Sequence, residues 1–217
     1  MALALFDMDG TLIAGNATAD YIHSRWQRGL LRTTDALRAF VIYGRYRLGA
    51  VDMVTLLHEA AKEVAGQPEQ ALVDECRTIY EERVRARICP AMRQIVEDHR
   101  QRGDTLAIVT ASTPYIARHL AAELGIAHLL ATELEVVDGL FTGKLAGDPC
   151  YGRFKIDAVE RLLHANAQTL QQAWFYTDSD TDAPLLLRVG HPVAVRPDPR
   201  LRWRAWRNGW PLGPAEK

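Results

Sequence analysis

The sequence has few cysteines and no long apolar run, and each shortage argues against a class of protein. Its 217 residues include three cysteines, Cys76, Cys89 and Cys150, and no Cys-x-x-Cys pair. An odd number without metal-ligand spacing argues against a zinc site or a disulfide framework and favours a reducing compartment. No apolar run reaches the roughly 18 residues of a membrane span. We therefore expect a protein without a stable membrane anchor.

An excess of charge of one sign is also missing. The chain has 26 Lys+Arg against 27 Asp+Glu, a formal net charge of -1, which argues against a general nucleic-acid binder. Asp7 and Asp9 interrupt the apolar residues at the N-terminus, whereas a secretory signal peptide needs a basic start and an uninterrupted apolar stretch. We therefore expect a cytoplasmic protein with no nucleic-acid partner. The sequence does not distinguish a monomer from a homodimer.

Short apolar runs alternate with helical patterns along most of the chain. The runs lie at 2–6, 105–110, 127–131, 173–177 and 192–195. The helical patterns between and after them lie at 90–102, 113–124, 153–165, 182–189 and 199–208. Strands alternating with helices predict an α/β fold with a parallel sheet covered on both faces. Segment 134–143 differs, because Asp138-Gly139 between apolar pairs predicts a hairpin.

A long segment between the first two strands has no strand pattern. We predict helices at 17–28, 33–47, 52–65 and 68–87, separated by glycines. This predicts a helical cap domain at 15–88, inserted into a sheet domain formed by 1–14 and 89–217.

The strongest chemical signal is Asp7-Met-Asp9-Gly-Thr, directly after the first predicted strand. Two like charges so close repel unless a cation or a proton lies between them. A carboxylate at this position can attack phosphorus, and a neighbouring carboxylic acid can protonate the leaving oxygen. The plainer interpretation is an Asx-turn that ends the strand.

Three further pieces follow in order and weaken that plainer interpretation. Thr110 ends the second predicted strand, and Lys155 stands near the start of a predicted helix in a chain with only four lysines. A compact ammonium suits a point contact to phosphate. Asp178 and Asp182 follow the fourth strand, and such acidic groups offer hard oxygen ligands for Mg²⁺. For Asp182 the alternative is a helix N-cap.

These four pieces resemble the motifs of the haloacid dehalogenase (HAD) superfamily, and the helical insertion resembles its subfamily IB, the phosphoserine-phosphatase-like group. The resemblance implies a Rossmann-like sheet with a C1 cap and a Mg²⁺-dependent phosphoric monoester hydrolase. It assigns Asp7 as nucleophile and metal ligand, and Asp9 as acid and base with its carbonyl on the metal. Asp178 would bind the metal, and Asp182 would bind it through water or orient its ligands.

The resemblance also implies that Thr110, Ala111, Ser112 and Lys155 bind the phosphoryl oxygens. Here the chain departs from the Ser-Gly-Gly of the serine phosphatases, because Thr110-Ala-Ser112 stands in its place. Hydrolysis of a small phosphomonoester, phosphoserine-like or another amino-acid or amino-alcohol phosphate, is the predicted function. A phospho-accepting receiver also uses Asp, Thr and Lys, but its phosphorylated Asp follows an interior strand.

An alternative substrate is a lipid headgroup phosphate, such as phosphatidylglycerophosphate or lysophosphatidate. The first half of the cap is basic, with arginines at positions 25, 28, 32, 38, 45 and 47, which fits a solvated face or an anionic lipid surface. The arginine-rich segment 200–207 raises the same two possibilities. There, Leu201, Ala205 and Trp206 fall at helical spacing, and we predict that they face the core.

Overall fold

The computed structural model describes residues 2–30, 52–166 and 169–214, with the single positions 34, 37 and 41. Most of the predicted helix 33–47 thus lies outside the described residues. In the described part, the strands are β1 (Leu3–Phe6), β2 (Thr105–Val109), β3 (His128–Leu130), β4 (Leu134–Val137), β5 (Leu140–Leu145), β6 (Trp174–Thr177) and β7 (His191–Ala194). The α-helices there are α1 (Ala17–Gln27), α2 (Met53–Glu63), α3 (Glu69–Ile79), α4 (Pro90–Gln101), α5 (Pro114–Leu124), α6 (Phe154–Asn166), α7 (Ala183–Leu186) and α8 (Pro199–Asn208).

Five parallel strands form the main sheet in the order β3-β2-β1-β6-β7, so β1 is central. All four residues of β1 are buried, and successive side chains enter two different hydrophobic clusters. Leu3 and Leu5 pack with side chains of α6, α7 and α8, whereas Ala4 and Phe6 pack with side chains of α4 and α5. Helices therefore cover both faces, as parallel sheets require. The predicted α/β fold is confirmed.

The predicted hairpin is also confirmed. β4 and β5 pair antiparallel, with Val137 opposite Leu140. Asp138 has φ 51° and Gly139 has φ 76°. A two-residue turn with both φ values positive matches the twist of the flanking strands, which is why Asp-Gly predicts it.

The inserted segment shares one hydrophobic cluster with the sheet domain. Cys76 and Ile79 of α3 belong to the same buried cluster as Leu12, Tyr115 and Phe141. The hydroxyl of Tyr115 in α5 also donates to Glu69 Oε1 of α3 at 3.0 Å. Apolar burial therefore continues across the predicted domain boundary.

Backbone hydrogen bonds join the loop between α2 and α3 to the hairpin. Gly66 N donates to Phe141 O at 2.8 Å, and Phe141 N donates to Gln67 O at 3.0 Å. Glu69 N donates to Gly139 O at 2.9 Å. The loop thus lies along one edge of the two-stranded sheet and pairs with it like a short third strand.

The two ends of the insertion are paired with each other. Ala14 N donates to Arg87 O at 2.8 Å, and Cys89 N donates to Leu12 O at 2.9 Å. These bonds lie at the predicted boundaries near 14–15 and 88–89. The division into two domains itself stays a prediction.

Two predicted helices need correction. The pattern at 68–87 is not one α-helix, because α3 ends at Ile79 and is followed by a π-helical turn, Tyr80–Val84, and a 3-10 turn, Arg85–Arg87. A period of 3.6 residues cannot reveal such a turn, which here carries the buried Tyr80 toward Glu123 of α5. The helix predicted at 182–189 is only α7, which follows a 3-10 turn, Asp180–Asp182, and gives way to a turn after Leu186.

The predicted inward position of Trp206 is wrong. Leu201 and Ala205 are fully buried, but Trp206 is 80% exposed. One residue beyond Ala205 is 100° further around the helix, on the side away from Leu201. None of the helices in the described ranges combines the length and apolar character needed to cross a bilayer.

Candidate active site

The predicted site residues follow neighbouring strands of the sheet. Asp7 and Asp9 follow β1, Thr110 follows β2, and Asp178 follows β6, and these three strands are adjacent. The carboxyl ends of parallel strands share one edge, where ligands of open α/β sheets bind. The topology therefore brings the four sequence motifs to one place.

Lys155, at the start of α6, joins two of the carboxylates. Its Nζ donates to Asp7 Oδ1 and to Asp182 Oδ2, each at 2.8 Å. The Thr177 hydroxyl donates to the same Asp182 oxygen at 2.7 Å. Burial opposes the charge of Lys155, yet the carboxylates of Asp182 and Asp7 hold its pKa above the ordinary value. A lysine that is 2% exposed thus stays an ammonium.

The surroundings of Asp7 favour the arrival of a cation. Burial raises the pKa of Asp7 well above its usual value, Lys155 opposes this shift, and the carboxylates of Asp182 and Asp178 add to it. One ammonium therefore faces three carboxylates. A positive ion at this edge would remove the remaining repulsion and keep Asp7 ionised.

Both carboxylate oxygens of Asp9 accept hydrogen bonds from the protein. Oδ1 accepts from Ala17 N at 2.6 Å, and Oδ2 accepts from the Ser112 hydroxyl at 2.9 Å. Burial raises the pKa of Asp9, while these two bonds and the charges of Lys155 and Arg87 partly offset the shift. A carboxyl group with a raised pKa is suited to give and take a proton near neutral pH.

The turn after β2 contains the three residues that are predicted to bind the phosphoryl oxygens. Thr110 is buried, and its hydroxyl oxygen accepts from Ser112 N at 3.1 Å. The Ser112 side chain donates to Asp9. Ala111 lies between them in the same turn. The phosphate contacts of these three residues stay predictions.

Gly10 gives Asp178 its position. Gly10 has φ +74°, and a Cβ added there would lie 2.2 Å from Asp178 Oδ2. The hydroxyl of the buried Thr11 lies 3.5 Å from Asp178 Oδ1. Only glycine allows both this backbone conformation and the close approach of the carboxylate.

Some supporting residues were missed by sequence reasoning. Arg196, after β7, donates from Nη2 to Gly10 O at 2.8 Å and to Thr11 O at 2.6 Å, and so holds the loop that follows β1. Thr177 holds Asp182. The position of Thr177 directly before Asp178 was an available signal, whereas nothing local connects Arg196 with residues near the N-terminus.

The donor atoms at this edge fit Mg²⁺. Within the described ranges, no three or more His, Cys, Asp or Glu side chains are grouped as metal ligands. Mg²⁺ does not require such a group, because it usually takes one or two carboxylates and completes its shell with waters and phosphate oxygens. The carboxylates of Asp7 and Asp178 and the main-chain carbonyl of Asp9 are oxygen donors of this kind. The small Gly10 leaves the room that Asp178 needs.

Comparisons with known proteins agree with this geometry. A histidinol-phosphatase of Neisseria meningitidis serogroup C (strain 8013) is 30% identical over 217 residues and covers 97% of both chains. Phosphoserine phosphatase SerB1 of Mycobacterium tuberculosis (strain ATCC 25618 / H37Rv) is 32% identical, over 97% of this chain and 70% of that protein. A solved structure of a Bordetella pertussis Tohama I protein of unknown function is 28% identical, with a TM-score of 0.87 over 98% of this chain and 97% of that one.

The family comparison covers most of the chain. Residues 4–187 match the family described as haloacid dehalogenase-like hydrolase. This range contains β1 with Asp7, the inserted helices, Lys155 and the loop of Asp178. On the match, the fold and the two phosphatase relatives, the chain belongs to the haloacid dehalogenase-like hydrolase family.

Proposed function

We propose that this chain is a Mg²⁺-dependent phosphatase that hydrolyses a small phosphomonoester through a phosphorylated Asp7. The observation that carries the proposal is the Asp7 carboxylate at the end of the central strand, bound by Lys155 at 2.8 Å. Asp9, two residues on, is bound by Ser112 and Ala17. The phosphatase names of two relatives support the same reaction class.

The two aspartates divide the chemistry between them. An oxygen of Asp7 attacks phosphorus, and the ester P–O bond breaks as Asp9 gives its proton to the leaving oxygen. Asp9, now a carboxylate, takes a proton from water. The water oxygen attacks the phosphorus of the aspartyl phosphate, which releases inorganic phosphate and restores the carboxylate of Asp7.

The remaining groups stabilise charge on the transferring phosphoryl group. Lys155, the Thr110 hydroxyl and the Ala111 amide are the proposed donors to its oxygens. The Ser112 amide would join them by exchanging its bond to the Thr110 oxygen. Bound Mg²⁺ would supply a positive charge that polarises the phosphoryl group and screens Asp7 from Asp178. Asp182 would keep Lys155 in place through the 2.8 Å contact.

The names of the relatives favour an amino-alcohol phosphate as substrate. A histidinol-phosphatase and a phosphoserine phosphatase both act on small monoesters that carry an ammonium group. We infer a phosphoserine-like or other amino-acid or amino-alcohol phosphate here. A lipid headgroup phosphate is the second candidate, suggested by the basic cap half. Of its arginines, Arg25 pairs with Glu75 at 3.5 Å and Arg28 with Glu82 at 2.9 Å. Arg32, Arg38, Arg45 and Arg47 lie outside the described residues.

A phosphate-release screen tests the proposal. Wild type with Mg²⁺ is expected to hydrolyse soluble amino-alcohol phosphates in preference to lipid phosphates, and excess EDTA should abolish activity. Asp7→Asn should lose both activity and the phosphoryl adduct that mass spectrometry finds in quenched enzyme. The exposed Asp148→Asn serves as the matched control. Full activity in EDTA, or an adduct on another residue, would overturn the proposal.

A further inference from the structure

The last helix, α8, carries two tryptophans on its outward side. It is anchored by Leu201 and Ala205, which are fully buried, whereas Trp203 and Trp206 are 54% and 80% exposed. At 100° per residue, both tryptophans lie opposite the buried pair. The outward side of a surface helix normally carries charged and polar residues. Two large indoles at its centre indicate that something other than water covers them.

Positive charge flanks the two indoles on both sides. Arg202 lies on one side of the tryptophans and Arg200 and Arg207 on the other, and all three are exposed. In the part of the chain that the structure describes, none of these three arginines forms an ion pair with a carboxylate. The sequence from 199 to 214 contains no Asp or Glu. The outward side is therefore both aromatic and strongly basic.

The orientation of the helix is fixed by other residues. Arg204 Nε donates to Asp180 Oδ1 at 2.7 Å, and Asp198 caps the helix by accepting from Arg200 N and Leu201 N at 2.8 and 2.9 Å. The guanidinium of Arg207 lies 5.3 Å from the centre of the Trp203 ring. The exposed residues are thus presented by a well-anchored element.

We propose that this surface, formed by Arg200, Arg202, Trp203, Trp206 and Arg207 and here named the α8 face, docks on an anionic phospholipid bilayer. Tryptophan is favoured at the membrane–water boundary because its ring is apolar and its N–H is polar. Arginines beside it are attracted to anionic headgroups. An aromatic centre with basic flanks matches this layered surface. The proposal does not depend on the hydrolytic reaction, which uses other residues.

Sedimentation of the full chain with lipid vesicles tests the proposal. Binding is expected for vesicles of phosphatidylcholine with phosphatidylglycerol and not for phosphatidylcholine alone, and it should weaken as salt is added. Trp203→Ala/Trp206→Ala should lower the partition coefficient about tenfold or more. Arg202→Gln should lower it about fivefold. Val137→Ala/Leu140→Ala removes another exposed apolar pair, in the hairpin, and should bind like wild type.

Several results would overturn the proposal. One is no binding of wild type to anionic vesicles, and another is equal loss in the hairpin control. A third is light scattering that shows the tryptophan variant converting a dimer to a monomer without any vesicle binding, which would make the α8 face a contact between copies. If the tryptophan variant is misfolded by circular dichroism, Arg202→Gln/Arg207→Gln decides, since both side chains are exposed and neither holds the helix.

Discussion

The site departs most at Ser112 from the Ser-Gly-Gly pattern of the serine phosphatases. A serine replaces the last glycine of that pattern, and its hydroxyl donates to Asp9. Ser112→Gly removes this donor from a carboxylate, and bonds to charged groups contribute about 1.5–3 kcal/mol. We expect kcat for alkyl phosphates to fall about tenfold or more, because Asp9 loses a bond that orients it and those leaving groups need its proton. The loss should be smaller for p-nitrophenyl phosphate.

Ser112→Thr is the matched control, because threonine keeps a hydroxyl at the same position. It should retain most of the activity that Ser112→Gly loses. Equal losses for good and poor leaving groups would contradict a role through Asp9 and favour direct binding of phosphate by the hydroxyl.

Gly10 is the second residue with a testable role. Gly10→Ala would place a Cβ 2.2 Å from Asp178 Oδ2 and strain a backbone with φ +74°. We expect the Mg²⁺ concentration for half-maximal activity to rise about ten- to hundredfold, as for other changes that displace a metal ligand. Gly147→Ala is the control, because nothing lies within 4 Å of a Cβ there. An unchanged Mg²⁺ titration would contradict the assignment of Asp178.

His99 lies outside the candidate active site and links secondary-structure elements through hydrogen bonds. Fully buried on α4, it has Nδ1 2.9 Å from Asp104 Oδ2 and Nε2 2.8 Å from the Tyr176 hydroxyl of β6. Burial lowers the pKa of His99, although Asp104 opposes the shift. At pH values between the lowered pKa and the ordinary value near 6.5, the unfolded chain binds more protons than the folded chain. Stability is therefore lost as the pH falls through this range.

The expected slope is at most about 1.4 kcal/mol per pH unit between roughly pH 6.5 and the lowered pKa. Urea denaturation at a series of pH values measures it. His99→Gln should be less stable at pH 7 but should lose less stability on acidification. The exposed His58→Gln should keep the slope of wild type, and the same slope in His99→Gln would contradict a buried neutral imidazole.

For the helices and strands of the described residues, the sequence predicted most boundaries to within a few residues. The alternation of apolar runs and helical patterns is local, and so are the Asp138-Gly139 turn and the four motifs that meet at the sheet edge. The contact of Ser112 with Asp9 and the hold of Arg196 on Gly10 depend on tertiary packing between distant segments. Local periodicity carries no information about such contacts. The error at Trp206 has another origin, because the spacing that buries Leu201 and Ala205 itself turns the next residue outward.

For the molecule as a whole, the shared cluster predicts cooperative unfolding. Cys76 lies in the inserted segment and Cys150 in the sheet domain, and both are buried free thiols. Because the cluster around Cys76 also includes Tyr115 and Phe141, opening the insertion would expose side chains of the sheet domain. We expect both thiols to become reactive at one urea midpoint, as in a two-state transition.

Pulsed thiol labelling followed by peptide mass spectrometry measures each midpoint separately. Cys89, at the junction of the two parts, should follow the same curve. Labelling of Cys76 at clearly lower urea than Cys150 would show instead that the insertion unfolds on its own.

The central place of β1 has a consequence for synthesis on the ribosome. Leu3 pairs with Thr105 of β2, and Ala4 pairs with Trp174 of β6. The strand that precedes Asp7 is translated before both of its neighbours, which emerge later as the chain grows at about 5–20 residues per second. Until then, the apolar β1 has no partner strand on either edge, and unpaired strand edges promote aggregation. In the proposed mechanism, activity requires the segment around Asp178, so products truncated before it should be inactive and dependent on chaperones.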